Sequence, residues 1–265
     1  MRASVRRFAV AQGFSPAVLL SSLLLLAAPA WATERYALVI SGASGGAKYA
    51  ESCDRWRTTL VQALQEKLGF DATRLIVMAE QAGPGVETAT RENVRRALAD
   101  LRRRLTRDDL LLIVLIGHGT FDGESAKFNM VGPDLNAAEW TDLLKGMPGR
   151  LALVNTTGSS FPFVEELSGH GRVIITATDS AAQRFDTIFP EFFVRALDDD
   201  AADLDKNGRV SLWEAFAYAS AGVRGYYEQR GQLSTERPVL DDNGDKLAKE
   251  AEAPGPDGTL ANSPW

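Results

Sequence analysis

The sequence predicts an α/β protein with an open, mainly parallel sheet and helices on both faces. Three observations lead there. Short apolar runs alternate with stretches of helical spacing in the order β-α-β-α-β-α-β-α-β, and consecutive units of that kind pack as parallel neighbours. The run Leu110–Ile116 is nearly all Leu, Ile and Val, as in a strand covered on both faces. Leu151–Asn155 and Arg172–Thr176 repeat that composition.

In chain order, Tyr36–Ser41 is the first β run. Tyr49–Leu68 then has helical spacing, with Trp56, Leu60, Leu64 and Leu68 on one stripe. Arg74–Met78 is a second strand. Pro84-Gly85 breaks the chain before a helix over Thr90–Leu105, where Thr90 suits the N-cap. The basic run Arg95–Arg107 falls mostly on that helix and reads as its solvated face. Helical stretches at Ala137–Lys145 and Phe161–Leu167 separate the last three core strands in turn. Phe189–Leu197 and Leu212–Ala219 form a later helix pair. After about Gly231 periodicity is lost in a Pro-, Gly- and acid-rich stretch, so residues 231–265 are expected to form a mostly disordered tail.

The first 32 residues read as a secretion signal. Arg2, Arg6 and Arg7 start it, Ala17–Ala28 is an apolar run, and Ala30-Trp31-Ala32 offers small residues at a cleavage site. The apolar run is short for a bilayer and no stop-transfer flank follows, so no stable membrane span is expected after cleavage. Export to the periplasm or the extracellular space follows. Residues 33–230 are expected to form one domain, with oligomeric state left open. A formal charge of −6 and a pI near 5.1 argue against binding to a phosphate backbone, so no nucleic acid is expected. Cys53 is the lone cysteine, which excludes an intrachain disulfide.

The strongest catalytic signal is Gly117-His118-Gly119, directly after Leu110–Ile116. Parallel α/β sheets bind ligands at the C-terminal ends of their strands, and glycines on both sides free the backbone there. The strand Leu151–Asn155 runs into Thr156-Thr157-Gly158-Ser159-Ser160. Two neighbouring strand tips would then face each other, one with a histidine and one with small hydroxyl residues.

With Val39-Ile40-Ser41-Gly42 closing the first strand, these features resemble the caspase–legumain class of cysteine peptidases over about Tyr36–Gly222. The resemblance implies a histidine at His118, an oxyanion glycine at Gly119, a nucleophile at Thr157 and a small turn at Gly158, Ser159 and Ser160. The family places a cysteine where this chain has Thr157. A thiol of pKa ~8.5 supplies some thiolate near neutrality, whereas an alcohol supplies essentially none. A hydroxyl nucleophile needs a base braced by a carboxylate. None is evident, and Asp122 and Asp179 are candidates by loop position alone. Ser159 or Ser160 is expected to cap the next helix. Cys53 and His170 read as a packing residue and an exposed loop residue.

Asp203-Leu204-Asp205-Lys206-Asn207-Gly208-Arg209-Val210-Ser211-Leu212-Trp213-Glu214 fits the EF-hand loop pattern. Asp203, Asp205 and Asn207 would turn oxygens inward and Gly208 would make the sharp turn. Arg209 would offer its carbonyl, Ser211 would act through water and Glu214 would bind with both oxygens. Calcium is the expected cofactor, held in the ~10⁻⁴ to 10⁻³ M range of extracellular modules. A second acidic turn, Asp241-Asp242-Asn243-Gly244-Asp245, has Lys246 where a glycine is needed and ranks below the first. The expected function is an exported peptidase homologue with a lapsed site, binding a peptide or protein partner in its cleft. The alternatives are a hydrolase using Thr157, Ser159 or Ser160 with His118, and a calcium-responsive structural protein.

Overall fold

A computed structural model describes residues 33–264. The signal read at 1–32 lies outside the described residues, as does Trp265. The strands are β1 (Arg35–Ser41), β2 (Leu75–Ala79), β3 (Glu87–Thr88), β4 (Leu110–Ile116), β5 (Gly119–Phe121), β6 (Ala126–Phe128), β7 (Leu135–Asn136), β8 (Arg150–Asn155), β9 (Arg172–Thr176) and β10 (Val239–Asp241). The helices are α1 (Ala47–Glu66), α2 (Arg91–Arg104), α3 (Ala137–Leu144), α4 (Pro162–Leu167), α5 (Phe189–Ala196) and α6 (Leu212–Gln229).

The main sheet runs β10-β9-β8-β4-β1-β2-β3. All its pairings are parallel except β10 with β9. Strand side chains alternate between two cores. Val39, Val114, Val154 and Ile175 join α1, α5 and α6 on one face. Leu38, Ile113, Leu153 and Ile174 join α2, α3 and α4 on the other. With both faces covered, β4 is buried along its whole length. Among the described residues, no helix is long and apolar enough to cross a membrane.

Chain order reverses at β1: β2 and β3 extend the sheet one way, while β4 returns to the other side. The C-terminal tips of β1 and β4 therefore flank the crevice where such sheets take ligands. β4 and β8 are parallel neighbours, with Leu110 opposite Arg150 and Leu115 opposite Asn155. The two tips carrying His118 and Thr157 thus lie side by side. Directly after the histidine, β5, β6 and β7 form a small antiparallel sheet.

The C-terminal stretch differs from the expected disordered tail. It supplies β10, where Leu240 and Asp241 are fully buried, and Ala261 reaches the core. Polar composition misled here because backbone amides satisfy both oxygens of the buried Asp242: Gly258 and Ala261 each donate to one.

Candidate functional site

Both ring nitrogens of His118 are engaged. Nε2 lies 2.8 Å from the carbonyl oxygen of Ser44, in the loop after β1. A carbonyl only accepts, so Nε2 carries its proton. Nδ1 lies 2.8 Å from an oxygen of Asp186, in the loop between β9 and α5. Tyr49 packs edge-on against the imidazole, with ring centres 4.9 Å apart. The Tyr49 phenol is also hydrogen-bonded to Asp186, and that bond with the carboxylate's charge raises its pKa. Ser44 is fixed in turn by Glu80, which accepts from its N–H and its hydroxyl, the latter at 2.6 Å.

The carboxylate paired with His118 is therefore Asp186 and neither loop candidate. Asp122 accepts from Lys127 and from the N–H groups of Glu124 and Ser125, and the Lys127 bond leads in holding its pKa low. Asp179 pairs with Arg237 at 3.1 Å. Asp186 follows the last β run by a whole loop, and no short motif links it to His118.

Thr157 is 1 % exposed. Its hydroxyl donates to Asn155 Oδ1 at 2.8 Å and to the Gly158 carbonyl at 3.2 Å. Its backbone N–H, one of the two oxyanion donors the resemblance implies, is also given to Asn155 Oδ1, at 3.1 Å. Gly119 presses against this turn. A Cβ there would stand 2.4 Å from Thr157 Oγ1 and 2.3 Å from the Gly158 oxygen, so only glycine fits.

Ser159 combines φ 51° with a buried hydroxyl that has no hydrogen-bond partner. Positive φ is uncommon for serine and costs on the order of 1 kcal/mol or more. Ser160 Oγ meets Thr178 Oγ1 at 3.0 Å. Neither serine caps α4, which has Pro162 in its first turn and no side-chain cap. The β9–α5 loop covers the turn, with Ser159 N–H donating to Gln183 O at 2.7 Å and Thr187 donating to Thr156 O. Phe185 projects from that loop 68 % exposed, and Tyr49 is 40 % exposed.

Cys53 packs into the core from α1, and burial pushes its thiol up to about 11. It lines a cavity of about 290 Å³ with Ser41, Ser44, Arg57 and Glu80, beyond the tips of β1 and β2. A thiol so protonated is a poor nucleophile.

At the other candidate centre, carboxylate oxygens of Asp203, Asp205 and Glu214 lie within 4.8 Å of one another. Asp203 accepts from Asn207 N–H and Gly208 N–H, and Asn207 Oδ1 accepts from Arg209 N–H. Glu214 is 2 % exposed, and its Oε1 accepts from the N–H groups of Leu204 and Asp205. Ser211 caps α6 in a reciprocal pairing with Glu214. Gly208 takes φ 81° at the sharp turn. The donors are all oxygens and the loop is already curled, which suits a hard cation such as calcium. A 3₁₀ turn at Asp200–Ala202 separates α5 from the loop.

No protein-family model matches the chain, and no curated protein matches its sequence. Solved structures do. The Drosophila initiator caspase Dronc aligns with a TM-score of 0.51 at 15 % identity, over 83 % of this chain and 84 % of that one. The fold is caspase-like. Protein GSU0716 from Geobacter sulfurreducens aligns at a TM-score of 0.49 and 13 % identity, over 82 % of this chain and 97 % of its own. Caspase-1 from Spodoptera frugiperda aligns at 0.48 and 9 %, over 79 % and 86 %. In this caspase-like sheet, the resemblance read from His118 and Thr157 falls on two adjacent strand tips.

Proposed function

We propose that the chain is an exported, caspase-like peptidase homologue whose hydrolytic site has lapsed and whose cleft binds a peptide or protein segment. One observation carries this reading. Thr157 spends its hydroxyl and its N–H on Asn155 Oδ1, while His118 spends both ring nitrogens on Ser44 and Asp186. A general base needs a free nitrogen within reach of the proton it removes, and this geometry offers none. Tyr49, packed against His118, and Phe185, next in sequence to Asp186, are both exposed and supply apolar surface for a partner. The Asp203–Glu214 loop holds calcium through Asp203, Asp205, Asn207, the Arg209 carbonyl and Glu214, with Ser211 acting through water.

The test is a peptide-array binding experiment with the intact chain. Binding without turnover is expected, and Phe185→Ala should weaken it on the order of 10-fold, as the loss of an exposed aromatic anchor does. Peptides bound equally well by Phe185→Ala and Tyr49→Ala would remove the cleft from the account.

A second reading is favoured by Ser159 alone, whose strained, unpartnered hydroxyl stands on a strand-to-helix turn as a hydrolase serine does, though here it is buried. Covalent labelling of Ser159 by a fluorophosphonate would establish it. Absence of labelling alongside peptide binding supports the lapsed site.

A further inference from the structure

The acidic turn at the end of β10 repeats three hydrogen bonds of the Asp203 loop at the same positions. In the first loop, Gly208 N–H donates to Asp203, Asn207 N–H to Asp205 and Arg209 N–H to Asn207. In the second, Lys246 N–H donates to Asp241, Asp245 N–H to Asn243 and Leu247 N–H to Asp245. The side-chain amide of one loop residue bonds a neighbouring carboxylate in both, Asn207 to Asp205 and Asn243 to Asp245. Positive φ falls at the fourth and sixth positions of each, on Lys206 (59°) and Gly208 (81°), then on Gly244 (84°) and Lys246 (66°). The two loops have exchanged which of those positions carries the glycine.

The closing carboxylate is replaced too. In the first loop Glu214 accepts from the N–H of the second residue, Leu204, at 2.8 Å. In the second, Glu252 would stand at the twelfth position but is paired with Arg224. Asp257 instead accepts from the N–H of the second residue, Asp242, at 3.2 Å. Asp257 is 6 % exposed, and its other oxygen, Oδ2, is buried without a partner. A buried carboxylate oxygen left unpaired beside further carboxylates is costly unless a cation answers it.

We propose that Asp241, Asn243, Asp245 and Asp257 form a second calcium site, built on the same loop as the first. The Leu247 carbonyl takes the place that Arg209 has in the first loop. The choice of calcium rests on the reading of the first loop, because the repeated oxygen set is the argument for the same ion. The acidic groups of the second loop are not drawn within the 4.8 Å that gathers those of the first, so binding must tighten it. That tightening would pull Asp257 onto β10 and pin the C-terminal stretch to the sheet edge.

Calorimetric titration of calcium chloride into the chelator-treated full chain decides the matter. Two ions per chain are expected, falling to one in Glu214→Gln and to one in Asp257→Asn. Asp245 is exposed, so Asp245→Ala should lose the same ion as Asp257→Asn even if the latter folds poorly. One ion per chain, retained by Asp245→Ala and lost by Glu214→Gln, would overturn the second site and leave the first standing. Full stoichiometry in Glu214→Gln with one ion lost in Asp245→Ala would do the reverse.

Discussion

Asp186 meets Nδ1 of the His118 imidazole, while the Ser44 carbonyl holds Nε2. Together the two contacts hold the ring in place. Replacing Thr157 alone therefore restores only half of a catalytic pair. A thiol at Thr157→Cys would sit in the same buried turn, with its base still engaged. In Thr157→Cys/Asp186→Ala, Nδ1 is released and the thiol can be deprotonated. The double variant should react with an electrophilic peptide probe on the order of 100-fold or more faster than Thr157→Cys, the lower end of what a positioned base contributes. The unmutated chain, whose lone thiol is the buried Cys53, serves as the blank. Equal rates for the single and double variants would mean that Asp186 does not restrain the histidine.

At the scale of elements, apolar periodicity made the core legible. β4 and β9 have the bounds their aliphatic runs predict, and Thr90 caps α2 by accepting from Asn93 N–H. The small sheet β5–β7 and the two-residue β3 escaped because runs that short carry no period to read. Asp186 and Asp257 escaped for a related reason: each acts on a residue distant in sequence, through a loop without a signature. Glu236 is a third such group. Buried under α5, it accepts from the N–H groups of Ile188 and Phe189 and from the Tyr227 hydroxyl. Burial outweighs those bonds and raises its carboxyl from an ordinary 4.5 to about 7. The folded chain thus binds a proton between those values that the unfolded chain has released. Its contribution is fully present below pH ~4.5 and is lost as pH rises through about 7, on the order of 3 kcal/mol in all. Urea unfolding across that range should show stability falling in the unmutated chain relative to Glu236→Gln, its neutral isostere. A constant difference between the two would show that Glu236 stays ionised throughout.

At the scale of the whole molecule, the caspase-like sheet sets His118 and Thr157 on the adjacent β4 and β8 tips, while the oxygen-rich Asp203–Glu214 loop lies later in the chain. A ligand that binds only the folded state stabilises it by RT ln(1 + [L]/Kd), so one site at 100 times its Kd adds about 2.7 kcal/mol. Calcium at millimolar concentration should therefore raise the melting temperature. Magnesium at equal ionic strength should not, because it keeps its waters and demands a tighter octahedron. Glu214→Gln should lose the share due to the first loop, and an unchanged melting temperature with calcium would remove the ion from the account. The central claim is the lapsed cleft. It is tested most directly by incubating the unmutated full chain with peptides offering Asn, Asp and Arg at the scissile position, with and without calcium, and measuring cleavage by mass spectrometry. Peptides should stay intact under both conditions, because His118 and Thr157 are each committed to other partners. Cleavage that His118→Ala abolishes would contradict it.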